Sequence, residues 1–261
     1  MTITHMAGVG ARNLSVRLAR SESDIAAAQK LRWDVFYAER GALMEGGLAG
    51  FDADPFDVVC DHLLVEDSAS GVPVVVGTYR LLRESIAKRQ GGFYTAGEYE
   101  IARLSQPPRQ DGELLELGRS CVAPAYRDAG TIQLLWRGIA SYLERHRIST
   151  MFGCASFHGV DPDEHADTLS YLYHNHLAPQ GLRATALPER HVEMARLPIG
   201  GYDPRQAMRK LPPLIKGYLR VGAMVGDGAV IDAPFNTVDV FMIMPVNAIS
   251  ARYLGRFGAA A

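Results

Sequence analysis

The stretch that decides the fold is residues 114–132, LLELGRSCVAPAYRDAGTI. Residues 114–122 are mostly apolar and predict a buried strand, which Pro124 ends because proline has no N–H group to donate to a sheet. The next segment contains Gly130 and leads into apolar residues that recur every three or four positions from Ile132, as in an amphipathic helix. A buried strand, a glycine-containing turn and a helix in this order indicate an α/β domain.

The start of that helix is a candidate site for an anion. The first N–H groups of a helix have no partner inside it, and their dipoles favour negative charge. Arg127 adds a positive charge to the turn, although the Walker pattern GxxxxGKS or GxxxxGKT is absent. The turn is therefore either an ordinary connection between a strand and a helix or a phosphate site.

The rest of the chain continues the pattern with the order β-α-β-β-β-α-β-α-β-β. The predicted strands are residues 14–19, 62–66, 72–82, 114–122, 151–157, 229–232 and 238–244. Helices are predicted after a Ser21 or Ser23 cap, after a Thr131 cap and over residues 161–177. We expect one α/β domain over residues 14–200, with residues 201–261 as a C-terminal helical and strand extension packed on it.

Composition excludes several classes of protein. The 261 residues include 27 Lys and Arg and 29 Asp and Glu, and this net charge of −2 is unlike that of a general nucleic-acid binder. Three scattered cysteines without a CxxC pair predict neither a disulfide framework nor zinc, and the spacing of His158, Asp161, Asp163 and His165 matches no zinc pattern. No run of about 18 apolar residues is present. We expect a cytoplasmic protein, and contact with the inner face of a membrane stays open.

Residues 205–220 contain five cations and no acid, and they are interrupted by Pro212 and Pro213. The cations are Arg205, Arg209, Lys210, Lys216 and Arg220. Without them the rest of the chain has a net charge of −7, five below the total of −2. This basic segment is either a solvated helix face or a docking surface for an acidic carrier protein or anionic lipid.

Charged residues also stand on the strands that should be buried. Glu116 and Arg119 interrupt an apolar strand, and Arg80 lies on another with Asp54, Asp57 or Glu116 as available partners. A salt bridge explains any single pair. Several charges converging on one sheet are a costly way to stabilise a fold, and their number favours a functional site.

The element order and the pattern R-x-x-G-x-I of residues 127–132 resemble the GNAT N-acyltransferases. The resemblance implies a mixed, mostly antiparallel central sheet flanked by helices. It also implies an acyl-donor site at Val122, Arg127, Gly130, Thr131 and Ile132. Ile132 stands where the family usually has a second glycine. A carrier-protein phosphopantetheine, with one phosphate, fits such a turn as well as coenzyme A does.

Further segments resemble the acyl-homoserine-lactone synthases, which are GNAT-like enzymes that use acyl carrier protein thioesters. The matching positions are Arg32, Val35 and Phe36; Asp54, Phe56 and Asp57; Arg80; and Glu116, Arg119 and Val122. Gly118 replaces the usual Ser or Thr, the Trp expected after the first helix is missing, and the chain is longer. These departures favour a sister family, the L-ornithine Nα-acyltransferases, which residues 116–122, 132–138, 151–157 and 235–240 resemble.

This resemblance implies an enzyme that moves a 3-hydroxyacyl chain from acyl carrier protein to the α-amino group of L-ornithine, giving lyso-ornithine lipid. No cofactor and no metal are implied, because the phosphopantetheine thioester is itself the substrate. The implied partners are acyl carrier protein, ornithine and a membrane surface at residues 205–220. The alternatives are an acyl-homoserine-lactone synthase, an acyl-coenzyme A N-acyltransferase and a non-catalytic membrane-associated relative.

Acyl transfer to an amine needs a base for the amine, donors for the oxyanion and a proton for the leaving thiolate. Glu116 is the candidate base, directly or through a water, since partial burial would raise its pKa. Backbone N–H groups near Val122 are candidate donors. The resemblance to GNAT enzymes makes Tyr173 the candidate acid, with Tyr171 as the alternative.

The acceptor should be cationic, and the loop before the second strand is rich in acids. We expect Asp54, Asp57 and Asp61 to pair with its side-chain ammonium. Arg80 or Arg119 is expected to bind its carboxylate, and the resemblance adds Arg32 to the substrate-binding residues.

Overall fold

The computed structural model describes residues 3–4, 12–44, 48–106 and 111–249. Its strands are β1 (Ile3–Thr4), β2 (Leu14–Leu18), β3 (Asp61–Asp67), β4 (Val74–Arg83), β5 (Tyr99–Glu100), β6 (Glu113–Val122), β7 (Ile148–His158), β8 (Thr185–Ala186), β9 (Met224–Asp232) and β10 (Thr237–Pro245). Its helices are α1 (Glu22–Trp33), α2 (Glu84–Ala87), α3 (Ala129–Arg145), α4 (Ala166–His176), α5 (Pro204–Lys210) and α6 (Pro213–Arg220).

The strands form one sheet in the order β1-β2-β3-β4-β6-β7-β10-β9-β8-β5. The pairs β6–β7 and β8–β9 are parallel, and the other neighbours are antiparallel. Helices α1 and α3 pack on opposite faces, because Leu31 of α1 and Val35 just after it meet Cys121 of β6, while α3 joins the main core. The expected mixed, mostly antiparallel sheet flanked by helices is confirmed.

Local signals locate most helices correctly. Ser21 caps α1 by accepting the N–H of Asp24, as predicted, and a π-helical turn (Asp34–Glu39) continues α1. The predicted Thr131 cap is wrong: Asp128 caps α3 and accepts the Thr131 N–H. A carboxylate accepts this N–H more strongly than a hydroxyl does, so α3 begins earlier. The predicted helix over 161–177 divides into a 3₁₀ turn (Pro162–His165) and α4.

The C-terminal segment is built into the same sheet. β10 pairs with β7 on one side and with β9 on the other, and its nine residues are all buried. The basic segment forms α5 and α6, separated at Leu211 and Pro212 as the prolines predict. Residues 250–261 of the expected extension lie outside the described residues. Among the described helices, none is long and apolar enough to cross a membrane.

The parallel strands β6 and β7 separate halfway along their length. Their pairing ends at Glu116 and Phe152, after which β6 stays with β4 and β7 stays with β10. At Gly153, one residue beyond the last pair, an added Cβ would lie 2.2 Å from the carbonyl oxygen of Leu117. Glycine is therefore required at the point of separation, because any side chain would displace the neighbouring backbone.

We predict that Gly153→Ala lowers the free energy of unfolding by about 1–3 kcal/mol, since the Cβ overpacks rigid backbone. Urea unfolding followed by circular dichroism measures the change. Gly181→Ala is the control, because a Cβ at Gly181 meets nothing within 4 Å. Equal stabilities of the two variants would contradict the steric account.

Candidate active site

A cavity of about 460 Å³ fills the gap between β6 and β7. Its walls include residues 116–122 of β6 and Cys154, Ala155 and Ser156 of β7. Because the gap passes through the sheet, Leu135 and Trp136 of α3 line it on one face, and Val35 and Phe36 line it on the other. This volume is in the range of small-molecule sites, and residues from both faces of the sheet line the cavity.

Glu116 lies where the strands part, and it lines the cavity while being only 4% exposed. Its Oε1 accepts the Thr95 N–H (2.7 Å) and the Thr95 hydroxyl, and its Oε2 accepts the Tyr94 N–H (2.9 Å). Burial raises the pKa of Glu116, and these hydrogen bonds partly oppose the rise. A carboxylate oxygen accepts two hydrogen bonds, so Oε2 retains one lone pair.

Three arginines and three aspartates form a network beside the cavity. Arg32 donates to Asp52 (2.7 Å) and to both carboxylate oxygens of Asp57 (2.9 and 2.7 Å). Arg80 donates to Asp54 (2.6 Å) and Asp57 (3.1 Å). Arg119 donates to Asp52 and Asp54 (3.2 Å each). We call these six residues the arginine–aspartate network. Arg32 keeps the pKa of Asp57 well below its usual range. Arg80 and Arg119 line the cavity, whereas Arg32 lies behind it.

The expected ammonium site in the acidic loop is not formed. Both oxygens of Asp57 are engaged by Arg32, and Asp54 accepts from Arg80, Arg119 and the Phe56 N–H. Asp61 lies apart, where it accepts the Tyr142 hydroxyl at 2.6 Å. None of these three aspartates lines the cavity. Buried guanidinium groups already neutralise Asp54 and Asp57.

Arg119 has an unusual backbone. Its φ is +50°, a left-handed conformation that side chains rarely adopt, and it lies where the register between β4 and β6 shifts. Such a bulge re-aims a side chain, and strain of this kind concentrates at functional sites. The guanidinium carbon lies 4.9 Å from the Tyr94 ring centre and 4.6 Å from that of Phe235. Arg119 is thus fixed between two aromatic rings at the cavity wall.

The expected donor turn lies at one mouth of the cavity. Val122, Arg127 and Ile132 line it, whereas Gly130 and Thr131 do not. Asp128 accepts the Thr131 N–H, so the helix start is less open to an anion than expected. Arg127 makes two hydrogen bonds of 2.6 Å to Glu39. Arg40, which the sequence did not single out, also lines this mouth and is exposed.

The tyrosines of α4 are not at the cavity. Tyr173 packs beside the main core and against the His174 ring, and Tyr171 lies 3.3 Å from His176. The tyrosines that do line the cavity are Tyr79 and Tyr94. Tyr79 is buried and its hydroxyl lies 3.1 Å from that of Tyr218.

Three carboxylates that line the cavity escaped the sequence analysis. They are Glu98, Asp232 and Asp239, and we call them the acidic end. Burial and the two aspartates raise the pKa of Glu98 to about 7. Burial also raises the pKa of Asp239 to about 6, although the hydroxyls of Ser156 and Thr237 oppose the rise. The one available signal was the resemblance of residues 235–240 to a family motif.

Among the described residues, no group of three or more His, Cys, Asp or Glu side chains has a geometry suited to a metal. His165 contacts the His158 carbonyl oxygen (3.0 Å), and Asp161 accepts the Asp163 N–H (2.9 Å). The arrangement around the cavity therefore offers a buried carboxylate, fixed guanidinium groups and apolar walls, which suit acid–base chemistry on an organic substrate.

Comparison with known proteins agrees with this arrangement. A family model described as "Acetyltransferase (GNAT) domain" matches residues 31–137. A Brucella abortus protein named L-ornithine N(alpha)-acyltransferase is 50% identical, with 95% of this chain and 90% of that protein covered. A Rhizobium meliloti protein of the same name is 48% identical, covering 95% and 85%.

Among solved structures, FeeM, an N-acyl amino acid synthase from uncultured soil microbes, has a TM-score of 0.54 at 10% identity, covering 93% of this chain and 98% of that chain. BjaI, a coenzyme A-dependent acyl-homoserine lactone synthase, has a TM-score of 0.54 at 13% identity, covering 94% and 90%. At these identities the likeness concerns the fold, and it confirms the GNAT-like architecture.

We predict that Glu98→Gln makes the chain relatively more stable as the pH rises. A carboxyl whose pKa is about 7 when folded binds a proton that the unfolded chain has released, so its contribution to stability is lost between about pH 4.5 and 7. The Glu98→Gln variant has no titrating carboxyl at this position, so it does not lose this stability as the pH rises. Its free energy of unfolding relative to the unsubstituted protein should increase by about 2 kcal/mol from pH 5 to 8.

Urea unfolding at several pH values measures this difference. The control is Glu100→Gln, since Glu100 is an exposed neighbour on β5. A stability difference that stays constant with pH for Glu98→Gln would show that Glu98 titrates normally.

Proposed function

This chain belongs to the family of L-ornithine Nα-acyltransferases, and on that premise we propose that it transfers an acyl chain from the thioester of an acyl carrier protein to the α-amino group of L-ornithine. The product would be lyso-ornithine lipid, the first intermediate of ornithine lipid synthesis. The observation that carries the proposal is the cavity between β6 and β7, which the buried carboxylate of Glu116 lines together with apolar side chains.

Glu116 acts as the base in this proposal. Its free Oε2 lone pair accepts a proton from the α-amine, directly or through a water, while the nitrogen attacks the thioester carbonyl carbon. A C–N bond forms, the C–S bond breaks, and the departing thiolate takes up a proton to give the free thiol of the carrier. The raised pKa of Glu116 brings its basicity closer to that useful near neutral pH.

The lining of the cavity suits the acyl donor. Arg40 and Arg127 stand at the mouth formed by Val122 and Ile132, where they favour the single phosphate of phosphopantetheine. Leu135, Trp136 and the α5–α6 junction at residues 212–214 supply apolar walls for the acyl chain. Phosphopantetheine then enters as part of the donor, and no separate cofactor is proposed.

The basic segment is the proposed docking surface for the carrier protein. Pro212, Pro213 and Leu214 line the cavity, so the cations around them lie beside its wall. Arg205, Arg209 and Arg220 are exposed and form no ion pair among the described residues, whereas Lys210 is paired with Asp167. Exposed, unpaired cations next to the proposed donor channel favour an acidic partner.

Purified protein, long-chain acyl carrier protein and a panel of amines test the proposed function. We expect free thiol and an N-acyl product with ornithine, and neither without an amine or with S-adenosylmethionine. Acyl-coenzyme A in place of the carrier protein separates the two donor classes. Turnover with S-adenosylmethionine alone would instead favour a homoserine-lactone synthase.

In the same assay, Glu116→Gln should lower kcat by about 10²–10⁴-fold with little change in either KM, because it removes the base. Glu113→Gln is the control, since Glu113 stands on the same strand outside the cavity lining. Thermal unfolding of both variants checks that losing the hydrogen bonds to Tyr94 and Thr95 does not unfold the protein. A kcat within about tenfold of the original would exclude Glu116 as the base.

Reversing the charge of the basic segment tests the docking surface. For Arg209→Glu combined with Arg220→Glu, we expect a KM for the carrier-protein donor at least about tenfold higher, and an unchanged KM for ornithine. A short acyl-pantetheine donor should be unaffected, and Arg89→Glu, at another exposed arginine, is the control. If the double variant no longer sediments with anionic vesicles but keeps its KM for the carrier-protein donor, the basic segment binds lipid and not the carrier protein.

A further inference from the structure

The acidic end of the cavity brings Glu98 within the electrostatic influence of both Asp232 and Asp239. Glu98 is 8% exposed, accepts a weak hydrogen bond from Cys154 Sγ at 3.5 Å and is 3.9 Å from Arg190. Asp232 accepts the Phe235 N–H at 3.2 Å, which closes the turn between β9 and β10. Arg190 is half-exposed, so its attraction for Glu98 is weakened by solvent.

Asp239 provides the observation that points to a ligand. It is 7% exposed and lines the cavity, and although the Ser156 and Thr237 hydroxyls lie beside its carboxyl group, its Oδ1 has no hydrogen-bond partner among the described residues. A buried carboxylate oxygen without a donor is costly, and a native structure keeps such a group where function requires it. Its counterpart must be a donor that enters the cavity, and beside two further acids that donor should carry positive charge.

We propose that the acidic end binds the side-chain ammonium of the acceptor amino acid and thereby selects diamino acids over neutral ones. This assignment rests on the proposed function, because it concerns the acceptor of the same reaction. It replaces Asp54, Asp57 and Asp61, whose oxygens are occupied elsewhere.

The position of the acidic end suits an acceptor in which one amino group is bound and the other is acylated. Cys154 lies on β7 between Phe152, which pairs with Glu116 on β6, and Ser156, which pairs with Asp239 on β10. An ammonium held by Asp239 therefore leaves the α-amine of the same molecule on the side of Glu116. Arg119 also lines the cavity and is available to the acceptor carboxylate.

Kinetics with ornithine and norvaline test this assignment, because norvaline has the same carbon chain without the side-chain amine. Kinetic constants are measured for the full chain, Asp239→Asn and Glu98→Gln with one acyl carrier protein donor. We expect the preference for ornithine, as a ratio of kcat/KM values, to fall by about 10–100-fold in each variant. Norvaline turnover and the donor KM should change little. The control is Asp227→Asn, on β9 but outside the cavity lining.

Calorimetric titration of ornithine without donor supplies a second readout, and its affinity should fall in parallel. If the variants keep the original ornithine preference, or lose ornithine and norvaline turnover equally, the assignment is wrong while the proposed function stands. If the unsubstituted protein does not acylate ornithine at all, the proposed function fails and this assignment fails with it.

Discussion

The close approach of β6 and β7 at Gly153 is the constraint on which the rest of the molecule depends. With only a hydrogen on Gly153 Cα, the Leu117 carbonyl oxygen occupies space that any side chain would take. Beyond this point the two parallel strands follow different antiparallel partners, so the sheet opens without losing its ladders. The opening creates a cavity lined by residues from both faces of the sheet, and Glu116 stands where the two strands part.

Charge is distributed unevenly around this opening, and the distribution separates structural from functional roles. The arginine–aspartate network is nearly self-neutralising, since each guanidinium meets carboxylates at hydrogen-bonding distance. It fixes Arg80 and Arg119 against the cavity and leaves its own aspartates with little capacity for a substrate cation. Glu98 and Asp239 differ because burial raises the pKa of both carboxyls more than the nearby Arg190 and Arg119 lower it. A cationic substrate would supply the missing charge.

The C-terminal segment is part of the catalytic domain in both structure and proposed function. β10 completes the sheet beside β7 and carries Asp239, while the junction of α5 and α6 lines the apolar side of the cavity. The same short segment therefore covers the proposed acyl site and presents exposed cations beside it. Because one segment has both roles, a basic surface lies next to the proposed donor channel in a chain that is nearly neutral as a whole.

The amino-acid sequence by itself determined the order of the main elements, the division of the basic segment by prolines, and the position of Glu116 on a buried strand before a helix, but not the short β1, β5, β8 and α2. These features follow from local periodicity and backbone chemistry, which neighbouring residues specify. The partners of the charged residues were decided only by the tertiary structure. Asp57 was expected to bind a substrate but binds Arg32, and Tyr173 packs beside the core. Long-range packing selects these partners from several that the local sequence allows equally. Glu98 and Asp239 are 141 positions apart in the chain, and only the completed sheet brings them to one cavity.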